Sequence, residues 1–468
     1  MSLTWAGYAA IGTFVAAYVL FAWKEEQRTW IAAVAALVGL GFSLAAIGTS
    51  NIKGGALGLG ACTLFGYVPI GSPWHICDLE GFIEWDTLGL LVGLFLLAAL
   101  LNRLKVFQYL AIRLAQRTEG KPLRLFLLMS LLAFGLSAFI NSITVMIVLA
   151  TITVEVTRAL RVSPVNLLLA EISCANAGGA STFVGDPPNV ILGTYFGLGF
   201  DQFIEHAAPL ALCGLVVTLL GFWLLSRRDA KQTEPARARE GPAGDEGEGT
   251  ISPKPLELPP LPHLDRKRVG LALASFAVTI GLLVVNLYIP ASVGEIGLIG
   301  ALLALLVAGR EEWRELLKSV DWATLAFFFF LFLLVGSLEL TGVVDAIASG
   351  LGNAGAGSAL LLASLMLWSL GLLSSVVDNV PLAAAAAPII QALHLHRAVP
   401  VGSVVYATAV GTDIGGNGTP IGASANVVGL AVAKRAGITV SWGTYIARAF
   451  PIMVGALLAA NMALLLWH

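Results

Sequence analysis

Two stretches rich in glycine, proline and small polar residues interrupt long hydrophobic runs in this chain. They read GGASTFVGDPPNV at 178–190 and GGNGTPIGASANV at 415–427. A backbone of this kind cannot face lipid, because its unpaired N–H and C=O groups would be left without hydrogen bonds. It is tolerated where it lines a cavity enclosed by protein. Two such breaks at corresponding places in two halves are typical of the binding site of a secondary transporter.

The composition is that of a membrane protein. Of the 468 residues, 57% are hydrophobic and only 12% are charged, whereas soluble domains carry about 25% charged residues. The formal net charge of −2 gives no reason to expect a nucleic-acid partner. The first apolar run, 4–22, has the length of a membrane span and no basic segment before it, so we interpret it as a retained helix. The sequence shows no nucleophile–base pair and no nucleotide-binding loop, so we expect neither an enzyme nor a cofactor.

One constant shift relates the two halves of the chain. It places EWDTL at 84–88 on DWATL at 321–325 (321 − 84 = 237), and it places the first glycine-rich break on the second. Inside the breaks, both opening glycines and a Thr, a Gly, an Asn and a Val are identical. A register that holds without gaps from 84 to 191 indicates an internal duplication.

The lengths of the hydrophobic segments predict an all-α polytopic membrane protein built from two inverted repeats. Segments 123–157 and 356–395 are too long for one span, and each contains a polar break that leaves two short arms. Such arms suggest re-entrant hairpins. Segments 164–200 and 400–436 are interrupted by the glycine-rich stretches and are predicted to be broken helices. Each repeat then crosses the membrane an odd number of times, with about 10 transmembrane helices in all.

The predicted domains follow from this count. The first repeat spans 1–225, a polar linker spans 226–268, and the second repeat spans 269–468. The segments are, in the first repeat, scaffold helices within 4–104, hairpin 123–157, broken helix 164–200 and helix 207–226, and in the second, scaffold helices within 269–340, hairpin 356–395, broken helix 400–436 and helix 445–467.

The distribution of Lys and Arg predicts the orientation. With the N-terminus outside, the predicted outer loops hold only Lys53 and Arg397, and the other loop cations lie inside. We therefore expect a multi-pass protein of the cell membrane, inner or plasma, with both termini outside and a cytoplasmic central linker. Cys62 and Cys77 share an outer loop and could pair there.

Four acidic residues lie deep in the predicted membrane segments: Glu171, Asp186, Asp378 and Asp413. A charge at the bilayer centre is costly, so it usually has a function and faces the interior of the bundle. The hairpins and broken helices contain no Lys or Arg except at their ends. An acidic, amide-rich site suits a cation, a proton or a neutral polyhydroxyl solute. For Glu171, a packed and protonated carboxyl is an equal alternative.

The candidate binding residues come from the two hairpins and the two broken helices. Helix halves that end at a break carry partial charges that can hold an ion or a polar solute, and glycines allow close approach to the backbone. The candidates are Asn141, Ser142 and Thr144; Asp378 and Asn379; Asn176, Gly178, Gly179, Thr182, Asp186 and Asn189; and Thr412, Asp413, Gly415, Gly416, Asn417, Thr419, Ser424 and Asn426.

The two halves differ at two informative positions. Asn141 corresponds to Asp378, and Asn176 corresponds to Asp413. We therefore predict that the two aspartates hold the coupling ion and that the amide-rich first half contributes more to solute binding. Asp186 could contact the solute or cap the following helix half, because a Pro-Pro pair follows it. The four phenylalanines at 327–330 are predicted to face lipid.

Four segments resemble the arsenite permease/NhaD family of the ion transporter superfamily, which includes the melanosomal P protein. They are FINSITVMIVLATITVEV, AEISCANAGGASTFVGDPPNVI, SSVVDNVPLAAAAAPII and GTDIGGNGTPIGASANVVGLAVAKRAGITVSW. The resemblance runs from 85 to 209 and from 322 to the C-terminus. It implies a scaffold domain and a transport domain that holds the hairpins and broken helices, moving as an elevator, often within a dimer.

The resemblance also implies transport. In the dicarboxylate branch of the superfamily, Ser-Asn-Thr motifs at both hairpin tips bind Na⁺ and substrate. The tips here read NSIT at 141–144 and DNVP at 378–381, and the acid at the second tip argues against a plain Na⁺/dicarboxylate cotransporter. The leading hypothesis is proton-coupled efflux of arsenite or a similar neutral metalloid hydroxide.

Three other functions remain open at this stage: a Na⁺/H⁺ antiporter that uses the same carboxylates, a Na⁺-coupled anion transporter, and a gated anion channel. The expected partners are a small inorganic solute with its coupling ion and the lipid bilayer. A large apolar scaffold surface would permit a homodimer, and any ATP-driven activity would need a separate soluble ATPase.

Overall fold

The computed structural model describes residues 3–24, 27–53, 82–119, 121–160, 162–239, 259–355, 358–397 and 400–467. All regular secondary structure in these ranges is helical. The first half contains α1 (Trp5–Trp23), α2 (Arg28–Lys53), α3 (Trp85–Arg103), α4 (Val106–Arg117), α5 (Pro122–Ser137), α6 (Ser142–Ala159), α7 (Val165–Gly179), α8 (Pro187–Tyr195) and α9 (Phe200–Arg239).

The second half contains α10 (Arg266–Val284), α11 (Val293–Ala308), α12 (Trp313–Lys318), α13 (Trp322–Leu340), α14 (Val343–Ala354), α15 (Ala359–Ser374), α16 (Asn379–Arg397), α17 (Val401–Gly415), α18 (Ser424–Arg435) and α19 (Trp442–Trp467). Helix starts follow the shift found in the sequence. Thus α5 corresponds to α15 (359 − 122 = 237), and α8 corresponds to α18 (424 − 187 = 237).

Six helices in the described ranges are long and apolar enough to cross a membrane: α3, α6, α9, α10, α13 and α19. A seventh span results if α14 and α15, which meet at 118°, are taken together. Shorter apolar helices lie within α1, α2, α5, α11 and α16. The all-helical polytopic fold expected from the sequence is confirmed.

The two halves are intertwined. Helix α3 packs against α11, and its counterpart α13 packs against α2. Among the hairpins and broken helices, α5 packs against α7, α15 against α17, α6 against α18, and α8 against α16. Each of these contacts has its equivalent in the other half, so the packing itself is duplicated.

Glycines bring several of these helices into backbone contact. A Cβ atom built on Gly178 of α7 would lie 2.2 Å from the carbonyl oxygen of Phe134 on α5, and one on Gly415 of α17 would lie 2.0 Å from that of Gly371 on α15. Only glycine allows helices to approach this closely. The two broken helices are therefore held against their hairpins by the same device.

Two features depart from the sequence-based expectations. Helix α9 continues to Arg239 and α10 begins at Arg266, so both helices extend into the predicted linker. Phe327 and Phe328 are each only 1% exposed, because α13 packs against α1 and α2, so the prediction that they face lipid is wrong. Residues 240–258 of the linker, and Cys62 with Cys77, lie outside the described residues.

Candidate functional site

The two hairpin tips and the two helix breaks meet around a small cavity. Its volume is about 20 Å³, enough for one water molecule or a bare cation. A larger solute could enter only if the surrounding helices moved apart. The cavity is lined by Arg28, Asn141, Ser142, Ile143, Asp186, Pro187, Thr324, Phe328, Asn379, Val380, Ala423 and Ser424.

Beside the cavity, a chain of hydrogen bonds links two carboxylates through one amide. The hydroxyl of Ser142 donates to Oδ1 of Asp186 at 2.9 Å. The amide nitrogen of Asn379 donates to Oδ2 of Asp186 at 3.0 Å and to Oδ1 of Asp413 at 2.7 Å. The two acids belong to different halves of the chain, and the single NH₂ group of Asn379 serves both.

Both carboxylates are buried without a positive partner. Asp186 is 4% exposed and Asp413 is 0% exposed. The second oxygen of Asp413, Oδ2, is buried and has no hydrogen-bond partner among the described residues. No Lys or Arg in the described ranges forms an ion pair with either acid. Two buried acids of this kind can bind a proton or a small cation, which would remove uncompensated charge.

A second polar cluster, around Arg28, also lines the cavity. Nη1 of Arg28 donates to the hydroxyl of Ser424 at 3.0 Å and lies 3.9 Å from Oδ2 of Asp378. Nη2 donates to the hydroxyl of Thr324 at 2.7 Å. The expectation of a site without cations is therefore wrong. Of the described residues that line the cavity, Arg28 is the one cation.

Asp378 at the second hairpin tip is well provided with partners. Its Oδ1 accepts the backbone N–H of Val380 at 3.1 Å, and its Oδ2 accepts the hydroxyl of Ser424 at 2.6 Å. At the first tip, Asn141 makes the equivalent local bond, with Oδ1 accepting the N–H of Ile143 at 2.8 Å. Asp378 differs from Asp186 and Asp413 because a counter-charge faces it.

Several candidate residues brace the breaks instead of lining the cavity. Asn189 donates to the carbonyl oxygens of Gly179 and Thr182, at 2.9 and 2.7 Å. Asn426 makes the equivalent bonds to Gly416 and Thr419, at 2.7 and 2.9 Å. These asparagines supply donors that the interrupted backbone lacks.

The threonines of the breaks fix them to the hairpins. The hydroxyl of Thr182 donates to the carbonyl of Ala138, and that of Thr419 donates to the carbonyl of Ser375. Thr412 donates within its own helix, to the carbonyls of Thr408 and Ala409. These three side chains satisfy protein groups and do not line the cavity.

The remaining candidates lie close to the cavity but outside its lining. Asn176 donates to Oδ1 of Asn417 at 2.8 Å and to Oδ1 of Asn426 at 3.0 Å, and so joins the two breaks to each other. Thr144 lies half-buried in the first turn of α6. Gly178, Gly179, Gly415 and Gly416 take part in close helix packing.

The structure favours one alternative for each of two acids. Asp186 stands at the N-cap of α8, but its side chain makes no capping hydrogen bond and faces the cavity. Glu171 is fully buried away from the cavity, where its Oε1 accepts the hydroxyl of Thr153. Its other oxygen has no partner among the described residues, so Glu171 packs inside the bundle and does not line the cavity.

A larger cavity of about 270 Å³ lies between α3, α8, α13 and α16. Its polar lining includes Glu84, Tyr195, Glu339 and Gln391. It lies where α3 begins and α13 ends, whereas Arg28 and Thr324 mark the opposite end of α13. Over the described part of the chain, no group of three or more His, Cys, Asp or Glu residues is placed to hold a metal ion.

Comparison with known proteins gives one family match and several relatives. Residues 18–411 match the citrate transporter family. An uncharacterized transporter of Mycobacterium tuberculosis is 31% identical over 461 residues, which cover 98% of this chain and 97% of that protein. The 46 kDa membrane protein of Mycobacterium leprae is 33% identical over 391 residues, covering 82% of this chain and 87% of that protein.

Two further similarities are more distant. The human P protein is 27% identical over 474 residues, which cover 85% of this chain and 55% of that protein. Among solved structures, the YdaH transporter of Alcanivorax borkumensis, described as having an unusual topology, aligns with a TM-score of 0.58 at 15% identity. The alignment covers 83% of this chain and 87% of that one, and shows a shared fold.

Proposed function

The chain belongs to the citrate transporter family, and we propose that it is a secondary transporter whose coupling cation, a proton or Na⁺, binds at Asp186 and Asp413. The observation that carries the proposal is the pair of buried carboxylates that share the amide of Asn379. When both acids are ionised, two negative charges lie close together in a site of low polarity. A bound cation relieves their repulsion, so cation binding and the state of the site are coupled.

This assignment differs from the one expected from the sequence, which placed the coupling ion at Asp378 and Asp413. Asp378 is faced by Arg28 and accepts hydrogen bonds from Ser424 and Val380. An acid that faces a counter-charge has less to gain from a proton or Na⁺. Asp186 has no such counter-charge, and it shares a donor directly with Asp413.

The solute we favour is a small carboxylate anion. The guanidinium of Arg28 lines the cavity, and guanidinium groups match the geometry of carboxylates. The family description, citrate transporter, points to the same class of solute. The acid at the second hairpin tip counted against this class at first, but Arg28 offsets its charge.

A neutral metalloid hydroxide such as arsenite, exported in exchange for protons, is the second candidate. It is supported by the amides of Asn141 and Asn379 and the hydroxyls of Ser142 and Ser424, which can bind such a solute without a charge. A neutral solute, however, gives the positive charge of Arg28 no role in solute binding.

We propose that transport proceeds by an elevator movement. Helix α3 packs against α8, and α13 packs against α16, but the symmetric pairs α3–α6 and α13–α18 make no comparable contact in the described ranges. The hairpins and broken helices thus lie off-centre against the scaffold helices. A displacement to the mirror-related position would open the cavity towards the other end of the bundle.

The proposed orientation has both termini outside and the linker in the cytoplasm, in the cell membrane. It rests on the distribution of Lys and Arg in the loops. Labelling of a single cysteine introduced near either terminus, with a reagent that does not cross the membrane, tests it in intact cells.

The function is tested with purified protein in sealed liposomes that contain a pH-sensitive dye. Citrate, succinate, arsenite and Na⁺ are added singly under an imposed proton gradient, and then under a Na⁺ gradient. We expect saturable carboxylate uptake driven by one of the cations and lost in Asp186→Asn and Asp413→Asn. The control is Glu171→Gln, which removes a buried acid outside the cavity and is expected to retain transport.

Two results would change the assignment. Proton movement triggered by arsenite alone would favour the metalloid antiporter, and movement triggered by Na⁺ alone would favour a Na⁺/H⁺ antiporter. Carboxylate uptake that persists unchanged in both aspartate variants would contradict the coupling site.

A further inference from the structure

Arg28 is held by α2 and α13, although it reaches into the cavity between the hairpins and the broken helices. It is the first residue of α2, and its side chain is 18% exposed. Nη2 donates to Thr324, and the guanidinium lies 5.1 Å from the ring centroid of Phe327. Both contacts are with α13, which packs along α2. These contacts with α13 fix the position of the guanidinium group.

The contacts of Arg28 across the cavity are weaker. Its Nη1 bonds to the neutral hydroxyl of Ser424 and lies 3.9 Å from the nearest oxygen of Asp378, too far for a direct hydrogen bond. Asp378 meanwhile accepts hydrogen bonds from Ser424 in the second broken helix and Val380 in the second hairpin. Arg28 and Asp378 therefore compensate each other in charge without forming the two parallel hydrogen bonds that an arginine and a carboxylate can make.

We propose that Arg28 is the specificity-determining residue of transport, and that a carboxylate of the solute displaces Asp378 as its counter-charge. A solute carboxylate can accept two parallel N–H bonds from the guanidinium, which the 3.9 Å pair does not offer. Asp378 keeps its hydrogen bonds from Ser424 and Val380 in the exchange. The inference rests on the proposed function, because it takes a carboxylate solute as given.

The charges around the cavity then set the order of binding. Asp186, Asp378 and Asp413 bring three negative charges against the single positive charge of Arg28. An anionic solute would increase this excess of negative charge further. The anion therefore binds well only after a cation has neutralised Asp186 or Asp413, and cation and anion travel in the same direction.

The test is a double-mutant cycle in liposomes with Arg28→Gln, Asp378→Asn and the combined variant. Arg28→Gln is expected to raise the KM for citrate and succinate on the order of 100-fold, because it removes a charged contact to the solute. Asp378→Asn removes the competitor and is expected to lower KM. In the Arg28→Gln background, Asp378→Asn should no longer lower it, since the two residues act through one contact.

Two variants and one independent readout separate this effect from misfolding. Arg28→Lys keeps the charge but not the planar fork, and its KM should lie between those of the wild type and Arg28→Gln. Arg124→Gln removes an exposed arginine that pairs with Glu119 and should leave KM unchanged. Cation binding, followed by tryptophan fluorescence against Na⁺ and pH, should be retained in Arg28→Gln.

The outcomes distinguish this inference from the proposed function. If Asp378→Asn abolishes cation-driven transport, Asp378 is a coupling residue and the exchange is wrong. If Arg28→Gln transports carboxylates with unchanged KM, or if citrate, succinate, acetate and phosphate all fail to bind saturably to the wild type, the role of Arg28 is overturned. In that case, loss of the cation response in Asp186→Asn would still support the proposed function.

Discussion

The two helix breaks are built alike but charged differently. Asn189 and Asn426 brace the two breaks with matching pairs of bonds to backbone carbonyls. At the position where the first break carries Asp186, the second carries Ala423 (423 − 186 = 237). The asparagines that hold the interrupted backbone in place are therefore duplicated. The acid that can bind an ion, Asp186, has no acidic counterpart in the second break.

The hairpin tips repeat this difference. Both use a side-chain oxygen to hold the next backbone N–H, from Asn141 in the first half and Asp378 in the second. Of the two tips, only the second carries a charge, and among the described residues it is the one that pairs with an arginine. The comparison predicts that changes in the braces should act similarly in both halves, whereas changes in the charged residues should not.

The largest expected effect on transport comes from removing the acid Asp413, which makes the two halves alike in charge at this position. Asp413→Asn places an amide where the first half already has Asn176, and should reduce cation-driven uptake to the level of empty liposomes, because the coupling site loses an acid. The matched change, Asn176→Asp, adds an acid behind the site and should not restore transport to Asp413→Asn. Uptake is measured with labelled solute, and folding is checked by chromatography in detergent.

Next in size are the glycines at the helix contacts. Gly178→Ala and Gly415→Ala would each force a Cβ atom to within about 2 Å of a facing carbonyl oxygen. We expect each to destabilise the protein by about 1–3 kcal/mol or more, measured by thermal unfolding in detergent. Gly135→Ala on α5 meets no atom within 4 Å and serves as the control. A large difference in stability between Gly178→Ala and Gly415→Ala would contradict the expectation that the packing is equivalent in the two halves.

A smaller effect is expected from the asparagine braces. Asn189→Ala and Asn426→Ala each remove two hydrogen bonds to buried carbonyls, at a cost of about 1–2 kcal/mol, because the carbonyls of Thr182 and Thr419 each keep a backbone donor. Asn426→Ala should cost slightly more, because Asn426 also accepts a hydrogen bond from Asn176. Denaturant unfolding of the two variants in parallel tests the order, and an effect confined to one half would contradict equal bracing.

The smallest expected effect is at the first hairpin tip. Asn141→Ala removes the bond to the N–H of Ile143 and should lower stability by about 1 kcal/mol, as for other helix caps. Because Asn141 carries no charge, the dependence of uptake on cation concentration should stay as in the wild type. A shift in that dependence would place Asn141 in the coupling site after all.

The general architecture could be predicted from the sequence because it depends on local patterns. The lengths of the hydrophobic segments indicate where helices form. The shift of the internal repeat aligns α5 with α15 and α8 with α18. The glycine- and proline-rich stretches marked the breaks. Asp186 was identified, but the choice between capping and the cavity required the position of the first hairpin, which sequence spacing does not give.

Arg28 could not be found in this way. It lies at the start of a scaffold helix, 396 residues before Ser424, and in the sequence it resembles any other inner-loop cation. Only the packing of α2 along α13 brings it to the cavity. Likewise, buried braces such as Asn189 and cavity residues such as Asn379 are the same residue type, so the sequence cannot tell them apart.

The single amide shared by two acids has a consequence for how this family can diverge. Both hydrogens of Asn379 are committed, one to Asp186 and one to Asp413. Replacing Asn379 by a residue with fewer donors leaves one of these acids without its hydrogen bond. Selection should therefore tolerate such a replacement only when that acid changes too. In a collection of related genes, codons 186, 379 and 413 should vary together or not at all, although two of them descend from one ancestral copy and the third from the other.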